Sequence, residues 1–182
     1  MDGESLRGKL LIAGPSLFDP NFRRTIVLVG EHNDEGALGV VLNRPSTLEV
    51  ERAVPLLAGV VGAGDLVFLG GPVQPESAVI LAELERPDLA GLLIFDSVGF
   101  LMGDVGTDAI DAVRRARVFA GYAGWGPGQL EDEMVESSWI VEPATTDDLF
   151  APDPDALWAR VLKRKGGDFA MLSTMPFDPS TN

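Results

Sequence analysis

The side chains able to do chemistry are few and scattered. His32, the only histidine in 182 residues, lies in Glu31-His32-Asn33, and histidine is the residue type most often used for proton transfer near neutrality. A catalytic triad would add a nucleophile and an orienting acid, and the sequence fixes neither. A histidine at a strand end serves equally well as a structural hydrogen-bonder. One histidine and no cysteine give no zinc ligand set and no thiol nucleophile. Carboxylates are plentiful, but Asp96 and Asp104, flanking SVGFLMG, have neither metal nor glycosidase spacing. The run Asp147, Asp148, Asp153, Asp155 resembles a divalent-ion cluster at first sight; its prolines and the lack of calcium-loop spacing favour helix capping. No catalytic residue, metal or cofactor is therefore assigned.

Two glycine-rich segments invite a binding role: Leu69-Gly70-Gly71-Pro72, and 121–128 with the sequence GYAGWGPG. Neither carries the GK[ST] of a phosphate loop nor a dinucleotide fingerprint. In the second, Tyr122 and Trp125 stand among glycines ahead of a helix that starts near Gly126 and Gln129. It reads either as a rigid loop presenting an exposed aromatic or as a tight turn whose Trp125 plugs the core. The cationic candidates are Arg23, Arg24 and Arg44, the last in Asn43-Arg44-Pro45. The candidate ligand- or partner-binding set is thus His32, Asn43, Arg44, Tyr122, Trp125, Gly126 and Gln129. If the strands around 25–30 and 37–42 are antiparallel neighbours, Arg23, Arg24, Asn43 and Arg44 fall at one end of the pair and His32 at the other.

Charge narrows the partners. The chain carries 14 basic and 28 acidic residues, a net −14, and between Gln129 and Asp155 there are nine acids and no Lys or Arg. Nucleic-acid affinity comes largely from cationic contacts that release counterions, so no direct nucleic-acid partner is expected. An anionic membrane surface is disfavoured for the same reason. The longest uncharged run, 118–130, is shorter than the roughly 20 apolar residues of a membrane helix. The N-terminal MDGESLRGKLLIAGPS has no basic leader ahead of an apolar core, and with no cysteine the chain reads as cytoplasmic.

These residues must be held by many short elements joined by tight turns. Strands are expected over Lys9–Ala13, Thr25–Gly30, Ala37–Leu42, Leu66–Leu69, Ala78–Ala82, Leu92–Phe95, Arg117–Tyr122 and Trp139–Val141, with EHNDEG linking the second and third. Ser46-x-x-Glu49 reads as a capping box opening a helix to Val54. Thr107 reads as the cap of Asp108–Ala116, and Pro127–Ser137 as another helix. The strongest helix signal is Asp153–Lys165: Pro154 near the start, Leu157, Trp158, Val161 and Leu162 as an apolar stripe, and Gly166 as the stop. Strands early and helices late make an α+β chain, one domain over 1–182 with flexible ends at 1–7 and 174–182.

The segments GKLLIAGPSLFDPNFRRTIVLV, EHNDEGALGVVLNRPS, FLGGPV and GYAGWGPGQLEDE, in that order, resemble the YqgE/AlgH family of bacterial proteins. The likeness runs from Gly8 to the Trp158 helix. It implies a bacterial cytoplasmic protein whose mostly antiparallel or mixed sheet is curled toward a barrel-like form with flanking helices. The family carries a transcriptional-regulator label and brings no agreed catalytic residues.

The reading favoured at this point is a non-enzymatic binding or regulatory module, recognising a protein or small ligand through the loops around Asn43-Arg44 and 121–128. A small-molecule hydrolase or isomerase using His32 or a carboxylate is the alternative. A DNA-binding regulator comes third, because the basic triplets at 114–117 and 163–165 are small against −14. Partner identity and oligomeric state are not encoded in any motif.

Overall fold

The early strands are apolar without alternation, KLLIA and TIVLV, which is the pattern of strands covered on both faces. The computed structural model, which describes residues 4–14, 17, 22–102, 105–136 and 138–174, has this arrangement. Its strands are β1 (Lys9–Ala13), β2 (Ile26–Asn33), β3 (Gly36–Val41), β4 (Pro45–Glu49), β5 (Leu66–Leu69), β6 (Val73–Leu84), β7 (Leu92–Phe95), β8 (Val98–Leu101), β9 (Val113–Trp125) and β10 (Trp139–Pro143). The helices are α1 (Val50–Ala53), α2 (Thr107–Asp111), α3 (Gln129–Val135), α4 (Thr146–Leu149), α5 (Leu157–Lys165) and α6 (Asp168–Leu172). The chain is α+β.

The ten strands form one sheet with the path β10-β1-β2-β3-β9-β6-β8-β7, and β4 and β5 branch from it. Every pairing is antiparallel except β5 with β9, which is parallel. The path has two ends, so the sheet is not closed into a barrel. Long β9 connects its parts: 113–122 lie along β6, Phe119 and Ala120 face β5, and 123–125 face β3.

Alternate side chains of β1, β2 and β3 feed two cores. Leu10, Ile12, Ile26, Leu28, Val40 and Leu42 point to the face covered by Leu157, Trp158, Val161 and Leu162 of α5. Leu11, Ala13, Val27, Val29, Ala37 and Val41 point to the face holding Trp125, Leu130 and Trp139. The α5 helix is the expected one, entered through a 3₁₀ turn at Pro154–Ala156 and stopped at Gly166. Its Trp158 is 5% exposed, and the indole N–H donates to the Ala13 carbonyl at 3.1 Å.

Several expectations need correction. The segment from Ser46 is strand, not helix: β4 pairs with β5, and the Ser46 hydroxyl donates to the Val67 carbonyl rather than capping a helix, leaving α1 only from Val50. The helix expected over Asp108–Ala116 stops at Asp111 because Val113 already pairs with Leu84. Strands β4 and β8 were not anticipated. The link between β2 and β3 is a two-residue turn, Asp34-Glu35, since both strands continue through His32 and Ala37. The expected turn 14–21 and Asp104 fall mainly or wholly outside the described residues, as do 1–3, 137 and 175–182 of the predicted ends and helix. No helix among the described residues is long and apolar enough to cross a membrane.

One acidic residue does serve as a cap. Thr145 and Asp148 close a capping box on α4, and Asp148, 1% exposed, also receives both nitrogens of Arg164 at 2.8 and 2.9 Å. Burial pushes the Asp148 carboxyl up, but the hydrogen bonds from Arg164 and Thr145 outweigh it and hold the group below its ordinary value.

Candidate functional site

The antiparallel register of β2 and β3, Val27 against Val41 and Asn33 against Gly36, separates the sequence candidates as that pairing requires. At one end Asn43 accepts the Ile26 N–H at 3.0 Å and donates to the Arg24 carbonyl at 2.9 Å. Arg44 donates to the Arg23 carbonyl at 3.0 Å. Arg24, at φ 54°, lays its guanidinium over the Trp158 ring at 4.4 Å. These polar groups fasten the turn that leads into β2. The sequence presents Arg23, Arg24 and Arg44 as cationic candidates because it does not show the carbonyls and ring that Arg44 and Arg24 meet.

At the other end His32 is equally engaged. Its Nδ1 accepts the Leu6 N–H at 2.9 Å, which leaves Nε2 as the protonated nitrogen, donating to Glu131 of α3 at 2.8 Å. The ring thus clasps the N-terminal segment and α3 to the β2 end, with only 9% of the side chain exposed. With both nitrogens spent, His32 has no free position for abstracting a proton from a substrate.

The 121–128 segment is not a loop for most of its length, because Gly121 to Trp125 are the end of β9. Trp125 is not an exposed aromatic. It is 6% exposed, packs edge-on to Trp139 at 6.1 Å and stacks with Phe22 at 6.3 Å. Its indole N–H donates to Glu133 Oε1 at 3.1 Å, and that oxygen also accepts the Trp139 N–H at 2.9 Å. Gln129 accepts the Gly126 N–H at 3.0 Å and donates to the other Glu133 oxygen at 3.0 Å. Trp125, Gly126 and Gln129 therefore build the start of α3. The two glycine-rich segments pack on each other: a Cβ at Gly71, whose φ is 155°, would lie 2.2 Å from the Tyr122 carbonyl carbon. The close approach that these glycines permit is of the chain to itself.

Of the candidates, Tyr122 opens onto a concavity. The space, about 420 Å³, lies over β3, β6, β8 and the end of β9. Leu38, Val40, Val79, Leu92, Phe100 and Met102 line it, and Gly30 and Gly39 offer it bare backbone. Among the described residues that line it, only Tyr122 has a hydroxyl, amide or charge. Leu38 and Met102 in this lining remain 44% and 63% exposed, so apolar surface is open to the space. Sequence reasoning missed this site because its lining reads as ordinary strand. The available signal was Leu38 standing outward in β3 between buried Ala37 and Val40.

A second concavity of about 250 Å³ is lined by β9 at Ala116 and Arg117, by Leu66 and Phe68 of β5, and by Pro152 and Pro154, with Asp65 and Arg117 as its charged residues among those described. Among the described residues no group of three His, Cys, Asp or Glu is placed to hold a metal ion.

A model of the AlgH-like family matches residues 10–170. The chain belongs to the AlgH-like family. It is 44% identical over 185 residues to the UPF0301 protein SCO2948 of Streptomyces coelicolor, covering 98% of this chain and 96% of that one. It is 43% identical over 196 residues to the UPF0301 protein of Thermobifida fusca, covering 100% and 98%. The crystal structure of protein DIP2367 from Corynebacterium diphtheriae superposes with a TM-score of 0.85 at 28% identity, over 96% of this chain and 95% of that one. The solution structure of the AlgH protein from Pseudomonas aeruginosa gives 0.69 at 27% identity, over 97% of each chain. These likenesses carry the family and the α+β fold; the chemistry rests on the two concavities.

Proposed function

We propose that this AlgH-like protein is a binding module whose ligand is a small, largely apolar molecule seated in the concavity at Tyr122. The observation that carries the reading is a volume of about 420 Å³ whose described lining is apolar apart from the Tyr122 side chain. Small-molecule sites are typically of this size, mostly apolar, with a few polar groups that orient the ligand. The engagement of both His32 nitrogens supports a binding role over proton-transfer chemistry. The net charge of −14 supports a neutral ligand over a phosphate backbone.

Displacement of the neutral dye N-phenyl-1-naphthylamine by 1-octanol tests the reading. Ala78 is exposed and lines the space, so Ala78→Trp fills it and should weaken dye binding about tenfold or more while the fold is retained. Tyr122→Phe should weaken 1-octanol about fivefold, the worth of one hydrogen bond, and leave the dye unaffected. Dye binding that ignores Ala78→Trp would remove the site.

A further inference from the structure

The second concavity shares no lining residue with the first. Arg117 projects into it from β9, flanked in sequence by Ala116 and buried Val118. Its guanidinium lies over the Phe68 ring at 4.4 Å and donates one N–H to the Ala151 carbonyl at 3.0 Å. A guanidinium has five N–H groups, so most of its donors are left for something else. Every buried side-chain nitrogen and oxygen among the described residues has a partner, so the remaining Arg117 donors are not sealed from solvent.

No carboxylate pairs with Arg117 among the described residues, although burial makes a bare cation expensive. Burial pulls its pKa down, with the Asp65 charge opposing and Arg115 reinforcing the shift. Asp65 lies on the same lining, exposed, with Oδ2 accepting the Gly62 N–H at 2.8 Å. Val50, Leu66 and Phe68 line the same space, together with Pro45, Pro152 and Pro154. A simple anion would suit Arg117 and be repelled by Asp65. A molecule carrying both charges on neighbouring atoms would satisfy both.

We propose that this concavity binds a small zwitterion, an α-amino acid with an apolar side chain. The carboxylate meets Arg117, the ammonium meets Asp65, and the side chain lies against Phe68 and the prolines. Arginine is the side chain suited to bidentate carboxylate recognition, and stacking on an aromatic ring preorganises its fork. The volume of about 250 Å³ suits one such molecule rather than a peptide segment.

The test is calorimetric titration of the full chain with L-phenylalanine, 3-phenylpropionate and 2-phenylethylamine. L-Phenylalanine should bind, and each analogue lacking one charge should bind about tenfold weaker or less. Asp65→Asn keeps an acceptor for Gly62 and removes the charge. It should weaken L-phenylalanine about tenfold and leave 3-phenylpropionate unchanged or tighter. Arg117→Lys should weaken both acids, and Ala78→Trp, at the other concavity, should change neither. Absence of L-phenylalanine binding up to about 10 mM, equal binding of 3-phenylpropionate, or indifference to Asp65→Asn would each overturn the assignment. Tight binding of peptides through a C-terminal carboxylate, with free L-phenylalanine inert, would overturn it in favour of a peptide-end site.

Discussion

Replacing Trp125 by alanine separates a binding aromatic from a structural one. A surface aromatic serving only a ligand would cost less than about 1.5 kcal/mol of stability on removal. The structure demands more. Trp125 is 6% exposed, so nearly the whole ring is withdrawn from water, and large aromatic-to-alanine changes in a core cost about 3–5 kcal/mol. The ring contacts with Trp139 and Phe22 add to the burial, since such pairs contribute about 0.5–1.5 kcal/mol beyond area. One component is small: Glu133 keeps Trp139 and Gln129 when Trp125 is gone, so no buried carboxylate is orphaned. We expect about 4 kcal/mol for Trp125→Ala. In a domain of this size that lowers Tm by about 8–16 °C. Urea melts followed by far-UV circular dichroism measure it, with Trp125→Phe as a milder control losing about 1–2 kcal/mol. A loss under about 1.5 kcal/mol for Trp125→Ala would refute the packing argument and restore the exposed-aromatic view.

Two further expectations follow from the fold. Because Asp148 is held below its ordinary carboxyl value, the unfolded chain takes up its proton first. The stability from the Arg164 pair is therefore complete above about pH 5 and lost as pH falls below about 3.9. Arg164→Met should cost about 2 kcal/mol near neutrality in urea melts, discounted from the buried-pair range because the arginine is 36% exposed, and its gap to the parent should close toward pH 3; a gap that persists there would be inconsistent with the pair. Gly71→Ala should cost about 3 kcal/mol or more, since a methyl would enter the Tyr122 backbone at a positive φ. Gly59→Ala, with nothing within 4 Å of a built Cβ, should stay within about 1 kcal/mol, and equal losses at the two positions would sink the close-approach argument.

The fold was legible where local pattern and tertiary environment agree. Lys9–Ala13, Leu66–Leu69 and Leu92–Phe95 are strands at the expected boundaries, and the Leu157–Lys165 helix carries the apolar stripe that reads so clearly in the sequence. It was illegible where a partner overrode local preference. Ser46-x-x-Glu49 has the spacing of a capping box, but β5 offers its backbone to Pro45 and Glu49, and a ladder won over a helix turn. Strand β8 hid in SVGFLMG because its glycine breaks the apolar run, though Gly99 is where the Leu92 carbonyl comes closest.

The site was less legible for a different reason. Sequence inspection ranks polar and aromatic residues by what they could do for a ligand, while the fold had first use of them. Asn43, Arg44, His32 and Gln129 are all engaged with backbone groups, and His32 and Gln129 also with the carboxylates of Glu131 and Glu133. Nothing in their spacing says so, because the atoms they meet come from segments 17 to 99 residues away for the longer links. The residues left with something to offer are those whose types looked like scaffold: Leu38 and Met102 with apolar surface in water, Tyr122 with its hydroxyl over an apolar hollow, and Arg117 with donors beyond what Ala151 can take. Arg117 was weighed in the sequence as one more positive charge against −14, a sum in which it vanishes. Its position on β9, desolvated beside Phe68 and facing Asp65 across an open space, gives that charge a strength and direction that a net total cannot express.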